Sequence, residues 1–320
     1  MVSRTSMNVR GPGAGFAARA SRSGPLSGAR PAAPLKPHFQ PRPGLVMGQR
    51  YQLEEYLNKG GMGQVWKARD RRTGNNVAVK IALSSFEGRD HEELLRAEAG
   101  ILRKLSGTPG LVGYISDKET DQVEDGYFYL AMELVEGKAV SQLLQIDGAL
   151  DAEDTAYVGF RVALALQRMH NLAVLHGDIS INNVMLLMEN DAVSLKLIDL
   201  GISAAHQSAL AGRGNVLGNV PYMAPELLKG AYLSPLSDIY ALGVTLYVML
   251  AGKLPFLEDT EDKTKLAHLV KDVPEHPGIP EPMKKIIWKC LEKNPINRYR
   301  YASELAQDLA AAYPQVAEAA

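Results

Sequence analysis

The sequence predicts an α+β fold in two lobes: a small antiparallel sheet with one principal helix up to about residue 135, then a larger, mainly helical lobe ending near Tyr313. Strand-like runs at Tyr51–Leu57, Val77–Lys80 and Tyr127–Val135 fall before that boundary, and the first leads into a glycine-rich turn suited to a hairpin. An amphipathic helical pattern follows it from roughly Ala152 to Asn171. At 320 residues and 46% hydrophobic content, the chain can bury a core divided between two lobes.

Residues 1 to 44 read as a disordered basic tail. They are rich in Gly, Pro, Ala, Ser and Arg, and prolines at 12, 25, 31, 34, 37, 41 and 43 interrupt any helix or central strand. Residues 1 to 50 hold eight Lys or Arg and no acid, which leaves 27 basic against 36 acidic side chains in the rest, a net of -9. An acidic body tolerates cationic peptides and repels nucleic acid, so no nucleic-acid partner is expected. The tail has the composition of a transit peptide, but its prolines spoil the amphipathic helix of such signals, and it lacks the apolar core of a secretory one. Two further readings stay open: a flexible arm with self-phosphorylation sites near Ser21 and Ser23, or an upstream extension with initiation at Met47.

Cys290 is the sole cysteine, which excludes an internal disulfide or a thiolate metal cluster, and it reads as core packing in a C-terminal helix. The longest apolar stretch, Ala241–Gly252, is far shorter than the roughly 20 residues that span a bilayer. A soluble, cytoplasmic chain with no membrane partner is therefore expected.

Regular structure is expected from Tyr51, through Asn58-Lys59-Gly60-Gly61-Met62-Gly63-Gln64-Val65. Gly60, Gly61 and Gly63 suit a hairpin whose backbone N–H groups approach phosphate closely, since no Cβ stands in the way. Lys80 ends the apolar strand Val77–Lys80, so its ammonium must reach a crevice or pass the sheet edge to stay solvated. Helical periodicity follows in Leu94, Leu95, Ile101, Leu102 and Leu105, with Glu98 eighteen residues beyond Lys80. A Glu98–Lys80 ion pair would direct the ammonium toward the α- and β-phosphates of a nucleotide. Downstream, Asp178 in His176-Gly177-Asp178-Ile179-Ser180-Ile181-Asn182-Asn183 is placed to orient an attacking hydroxyl and accept its proton, and Asn183 can ligate Mg²⁺. Asp199 follows the strand Leu195–Ile198 as a second hard-oxygen ligand for Mg²⁺ bridging the phosphates.

Together these motifs make residues 51 to about 313 similar to a Hanks-type, eukaryotic-like serine/threonine protein kinase of bacterial flavour. Met223-Ala224-Pro225-Glu226, Asp238-Ile239-Tyr240-Ala241-Leu242-Gly243 and Arg298 strengthen the resemblance. It implies a bilobal kinase fold, with residues 45–135 and 136–313 as the lobes and 314–320 as a short frayed tail. It also implies ATP and Mg²⁺ as cofactors and protein substrates bearing Ser or Thr. In that match Lys80, Glu98, Asp178, Asn183 and Asp199 are catalytic. Asn58, Gly60, Gly61, Gly63, Val65, Ala78, Lys80, Met132, Glu133, Val135 and Met185 hold the nucleotide, with Met132 as gatekeeper and the backbone of Glu133 and Val135 facing adenine. Arg298 would pair with Glu226 to brace a protein-substrate platform. No sensor domain, repeat or anchor follows, so input is expected through a separate regulatory protein or the basic tail.

Four positions depart from the family pattern. Asn58 replaces the first glycine of the loop, Gly177 the usual arginine, Ser180 a lysine near the γ-phosphate, and Asn219 a threonine. Without that arginine, activation should depend little on phosphorylation within residues 202 to 220, where Ser203 and Ser208 are the acceptors. The same His-Gly-Asp pattern resembles aminoglycoside and choline phosphotransferases, so transfer to a small-molecule hydroxyl competes as a reading. A non-catalytic ATP-binding scaffold is the third.

Overall fold

A computed structural model describes residues 40–60, 63–82, 91–115, 123–124, 127–189, 192–200 and 219–318. They belong to one compact unit, His38–Ala320. The six-stranded sheet comprises β1 (Val46–Met47), β2 (Tyr51–Gly60), β3 (Gly63–Asp70), β4 (Asn76–Ala82), β5 (Val123–Glu124) and β6 (Tyr127–Glu133), in the order β1-β2-β3-β4-β6-β5. All of its pairings are antiparallel. One helix, α1 (His91–Lys104), packs against it. Regular structure thus starts before Tyr51: Met47 is fully buried, and the Gly44 N–H donates to the Leu53 carbonyl at 2.8 Å. Two residues preceded by prolines carry too little periodicity to announce a strand.

Alternation explains why the sheet has two cores. The outer face buries Met47, Tyr51, Leu53, Trp66, Val79, Ile81 and Tyr129 as a separate cluster. The inner face, with Leu130 and α1, joins the principal core, which runs on into the helical lobe. Two register shifts interrupt the β2–β3 ladder, between Leu53 and Glu55 and between Tyr56 and Asn58, as β-bulges do. Gly63 serves packing as well as the hairpin: a Cβ there would lie 2.0 Å from the Ile81 carbonyl oxygen of β4.

The second lobe opens with β7 (Lys138–Ala139) and α2 (Val140–Asp147), then α3 (Ala152–Asn171), β8 (Val184–Glu189) and β9 (Ala192–Leu197). It continues with a 3-10 turn at Val220–Tyr222, α4 (Pro225–Leu228), α5 (Pro235–Ala251), α6 (Glu261–Val270), α7 (Glu281–Cys290), α8 (Ala302–Ala312) and α9 (Gln315–Glu318). Asp151 caps α3 by accepting from Asp154 N–H at 2.8 Å. Ser234 and Pro235 start α5, and left-handed Gly252 stops it. Because α5 is apolar on every side it is the central post of the lobe, buried from Ser237 to Leu250.

Cys290 is fully buried in α7 as expected. Within the end expected to fray, 314–320, Gln315–Glu318 form the turn α9, whose Val316 is buried against the principal core. Among the described residues, no helix is long and apolar enough to cross a membrane.

Candidate active site

The elements converge on a cleft of about 600 Å³ between the two lobes, within the range of nucleotide-sized pockets. Glu98 sits on the buried face of α1, and Lys80 points inward from β4. Lys80 Nζ lies 2.9 and 2.8 Å from the two Glu98 oxygens and 3.1 Å from Asp199 Oδ1. Burial acts against the ammonium, but the pull of Asp199 and Glu98 outweighs it and holds Lys80 above the ordinary lysine range. The buried pair is therefore an ion pair with the proton on Lys80. Asp199 has φ 63°, a strained value for a non-glycine residue, and its carboxylate is 40% exposed toward the cleft.

On the opposite wall, the loop between α3 and β8 is fastened from below. Asp238 at the head of α5 accepts from the backbone N–H of His176 at 3.0 Å and of Gly177 at 2.8 Å, and lies 2.8 Å from His170 Nε2. Burial alone would raise the Asp238 pKa, but these partners hold it below the usual carboxylate range. Gly177 has φ 80°, a conformation in which an arginine would be strained, so glycine lets the loop adopt this path at little cost. Asn183 Nδ2 donates to the Asp178 carbonyl at 2.8 Å and to Asp178 Oδ2 at 2.9 Å. Burial, reinforced by nearby Asp199, pushes the Asp178 carboxyl up to about 6.

Of the residues expected at the nucleotide, Asn58, Val65, Ala78, Lys80, Met132, Glu133, Val135 and Met185 line the cleft, together with Glu98, Asn183 and Asp199. Gly60 and Gly63 pair to close the hairpin, Gly63 is not among the described residues that line the cleft, Gly61 lies outside the described residues, and Asp178 lines an adjacent small cavity. Asn58 Oδ1 accepts from its neighbour's N–H, Lys59, at 2.7 Å, which turns the side chain back onto its own strand. Ser203 and Ser208, like Ser21 and Ser23, also lie outside the described residues.

The cleft also includes Leu57, Val112, Gln142, Asn182 and Ile198, which pattern reading missed. A clasp behind the hinge was missed too. Glu133 N–H donates to the Gly113 carbonyl at 2.8 Å, Gly113 N–H donates to Glu133 Oε2 at 2.8 Å, and Glu133 Oε1 pairs with Lys196 of β9. Any adenine contact at Glu133 therefore falls to its carbonyl. Arg298 meets Glu226 in the expected two-pronged pair, at 2.7 and 2.8 Å, and also donates to the carbonyls of Glu292 and Leu236.

Comparison with known proteins agrees with this geometry. A probable serine/threonine-protein kinase of Clostridium perfringens is 34% identical over 83% of this chain and 38% of its own length. Serine/threonine-protein kinase PknA of Mycobacterium tuberculosis is 34% identical over 85% of this chain and 63% of its own. For serine/threonine-protein kinase PrkC of Bacillus subtilis the figures are 30%, 82% and 40%. This chain thus spans between about two fifths and two thirds of the length of these relatives. The model of the protein kinase domain matches residues 51–309, most of the sequence, and by that match the chain belongs to the protein kinase family.

Proposed function

We propose that this chain is an ATP-dependent protein kinase that transfers the γ-phosphoryl group to Ser or Thr hydroxyls of protein substrates in the cytoplasm. The observation that carries this reading is Lys80 Nζ, held between Glu98 and Asp199 at the inner end of a nucleotide-sized cleft. Three bacterial relatives named as serine/threonine kinases support the acceptor class. The Arg298–Glu226 brace beneath residues 219–228 supports a protein acceptor over a small metabolite. Retention of Lys80, Glu98, Asp178, Asn183 and Asp199 in working geometry argues against a non-catalytic scaffold.

Mg²⁺ fits the residues present. Asn183 commits its amide nitrogen to Asp178, which leaves Oδ1 as a neutral oxygen donor, and Asp199 offers a part-exposed carboxylate. Mg²⁺ commonly takes only one or two such protein ligands beside phosphate and water. When bound, the ion supplies charge neutralisation on the phosphate oxygens. Lys80 steadies the same phosphates from the other side, and Leu57, Val65, Ala78 and Met185 enclose an apolar slot for the base. Asp178, oriented through Oδ2 by Asn183, accepts the acceptor hydroxyl's proton as the oxygen bonds to the γ-phosphorus and the bond to the β,γ-bridging oxygen breaks.

The test incubates purified protein with γ-labelled ATP and Mg²⁺, with and without a generic basic protein, beside Asp178→Asn. Label on protein Ser or Thr that the substitution removes is the expected result. Label confined to a small metabolite, or nucleotide binding with no transfer, rejects the reading.

A further inference from the structure

We propose that His268 is a positioning residue for the protein acceptor: its Nε2–H holds the Pro221 carbonyl and so fixes the turn Val220–Tyr222, beside which the acceptor hydroxyl meets Asp178. The inference rests on the protein-kinase reading above and deepens it.

The turn borders the catalytic loop. Tyr222, with Met223 and Ala224 just after it, lines the same small cavity as Asp178. A shift of the turn therefore changes where an acceptor chain can run past Asp178, and a misplacement of about 1 Å can cost about a hundredfold in rate. Helix α6 packs against this turn, and His268 on the buried face of α6 is fully enclosed.

Buried polar atoms are normally hydrogen-bonded, and one imidazole nitrogen is accounted for: Nδ1 lies 2.8 Å from the Tyr240 hydroxyl of α5. Nε2 is buried without a hydrogen bond of ordinary geometry among the described residues, yet the Pro221 carbonyl faces the ring closely enough to favour its proton. The turn's own hydrogen bonds run to the carbonyls of Asn219 and Val220, not to that of Pro221.

Burial and the Lys293 ammonium push His268 down to about 4, so the ring is neutral and carries a single N–H. Burial also pushes the Tyr240 phenol upward, so it keeps its proton. With a phenol at Nδ1 and a carbonyl beyond, one arrangement avoids two acceptors facing each other: Tyr240 donates to Nδ1, and the Nε2 proton points at Pro221. The bond closes fully when an acceptor loads the turn, as catalytic hydrogen bonds in unliganded enzymes commonly do.

The ring has little freedom to turn elsewhere. Phe256 packs on it with centroids 4.9 Å apart, and the Arg298 guanidinium lies 4.8 Å from the centroid of Tyr240. The brace at Glu226 thus continues through Arg298 and Tyr240 to His268, so both ends of the stretch from Pro221 to Glu226 are referred to α5.

The experiment measures kcat, KM for ATP, KM for the generic basic protein and the melting temperature of the parent, His268→Gln, His268→Asn and His268→Phe. Glutamine sets its amide nitrogen where Nε2 sits and asparagine where Nδ1 sits, so the two separate the bonds to Pro221 and Tyr240. Nitrogen NMR on protein with isotope-labelled histidine reads the tautomer, the His268 signal being the one lost in His268→Gln. An Nε2–H ring is expected. His268→Asn and His268→Phe should raise KM for the basic protein about tenfold with KM for ATP within about twofold, the scale of one lost hydrogen bond. His268→Gln should stay within about threefold of the parent. An asparagine variant with parental acceptor KM overturns the proposal, as does an equal loss in the glutamine and asparagine variants. So does a loss that follows the melting temperature or falls equally on KM for ATP. If the phenylalanine or asparagine variant fails to fold, the tautomer and the glutamine variant decide. A parent that transfers phosphate but carries an Nδ1–H ring fails the proposal alone; a parent without Asp178-dependent transfer fails the kinase reading and the proposal with it.

Discussion

Replacing Lys80 with methionine should do more than silence the site. The substitution removes a cation 2.8 and 2.9 Å from Glu98 and 3.1 Å from Asp199, in a place where Glu98 is 1% exposed. Asp199 can turn to solvent, but Glu98 cannot. The folded variant must bury an unpaired carboxylate or protonate it. Burial already pushes Glu98 upward, so protonation is the cheaper route and sets the ceiling. Taking up a proton at about pH 7.5 on a group that titrates near 4.3 when unfolded costs about 4 kcal/mol. At about pH 5.5 the same step costs about 2 kcal/mol. The sign follows linkage: an acid whose folded pKa is raised contributes stability at low pH and loses it as pH rises.

Urea denaturation of parent and variant at the two pH values measures this. The variant should lose about 4 kcal/mol at the higher pH and about half that at the lower, in line with the cost of breaking a buried pair. The double variant Lys80→Met, Glu98→Gln should recover most of the loss at both pH values while remaining inactive, because a neutral amide no longer needs a cation. Equal destabilisation of the single variant at both pH values, or a double variant no more stable than the single, would refute the reasoning.

Asp178→Asn should abolish transfer yet stabilise the nucleotide-free protein. Burial and Asp199 raise Asp178 to about 6, so the carboxyl contributes stability below its unfolded pKa and loses it as pH rises through about 6; the amide should gain about 3 kcal/mol near pH 8, about half that near pH 5 and little near pH 3 in chemical denaturation. For the same reason kcat/KM of the parent should fall about tenfold per unit below about pH 6. Arg298→Lys should lower stability by about 3 kcal/mol or more in chemical denaturation, since one ammonium cannot serve Glu226 and two carbonyls from a planar fork. Gly177→Ala should cost about 1–2 kcal/mol, because a Cβ disfavours φ 80° at a residue whose N–H anchors the loop to Asp238.

What was legible in the sequence were groups whose chemistry constrains residue type. A lysine ending an apolar strand and a glutamate eighteen residues on need each other, and the structure joins them with two short contacts. The six residues from Asp178 to Asn183 are one loop whose ends must meet, and they do. Arg298 and Glu226, 72 residues apart, were found by pattern resemblance alone. Illegible were contacts set by tertiary path: Glu133 with Gly113 and Lys196, or His170 with Asp238. Nothing in local periodicity marks such pairs, because each residue alone reads as an ordinary surface charge or helix end. The turn around Val316 was missed since four residues carry no period, and Gly63 was read for phosphate when β4's backbone also demands it.

Calorimetric titration of ATP into the parent protein and into Asp199→Asn, with and without Mg²⁺, tests the central claim most directly. The parent should bind ATP more tightly when Mg²⁺ is present, and Asp199→Asn should lose that gain while remaining folded. A parent protein with no affinity for ATP at any Mg²⁺ concentration would contradict it.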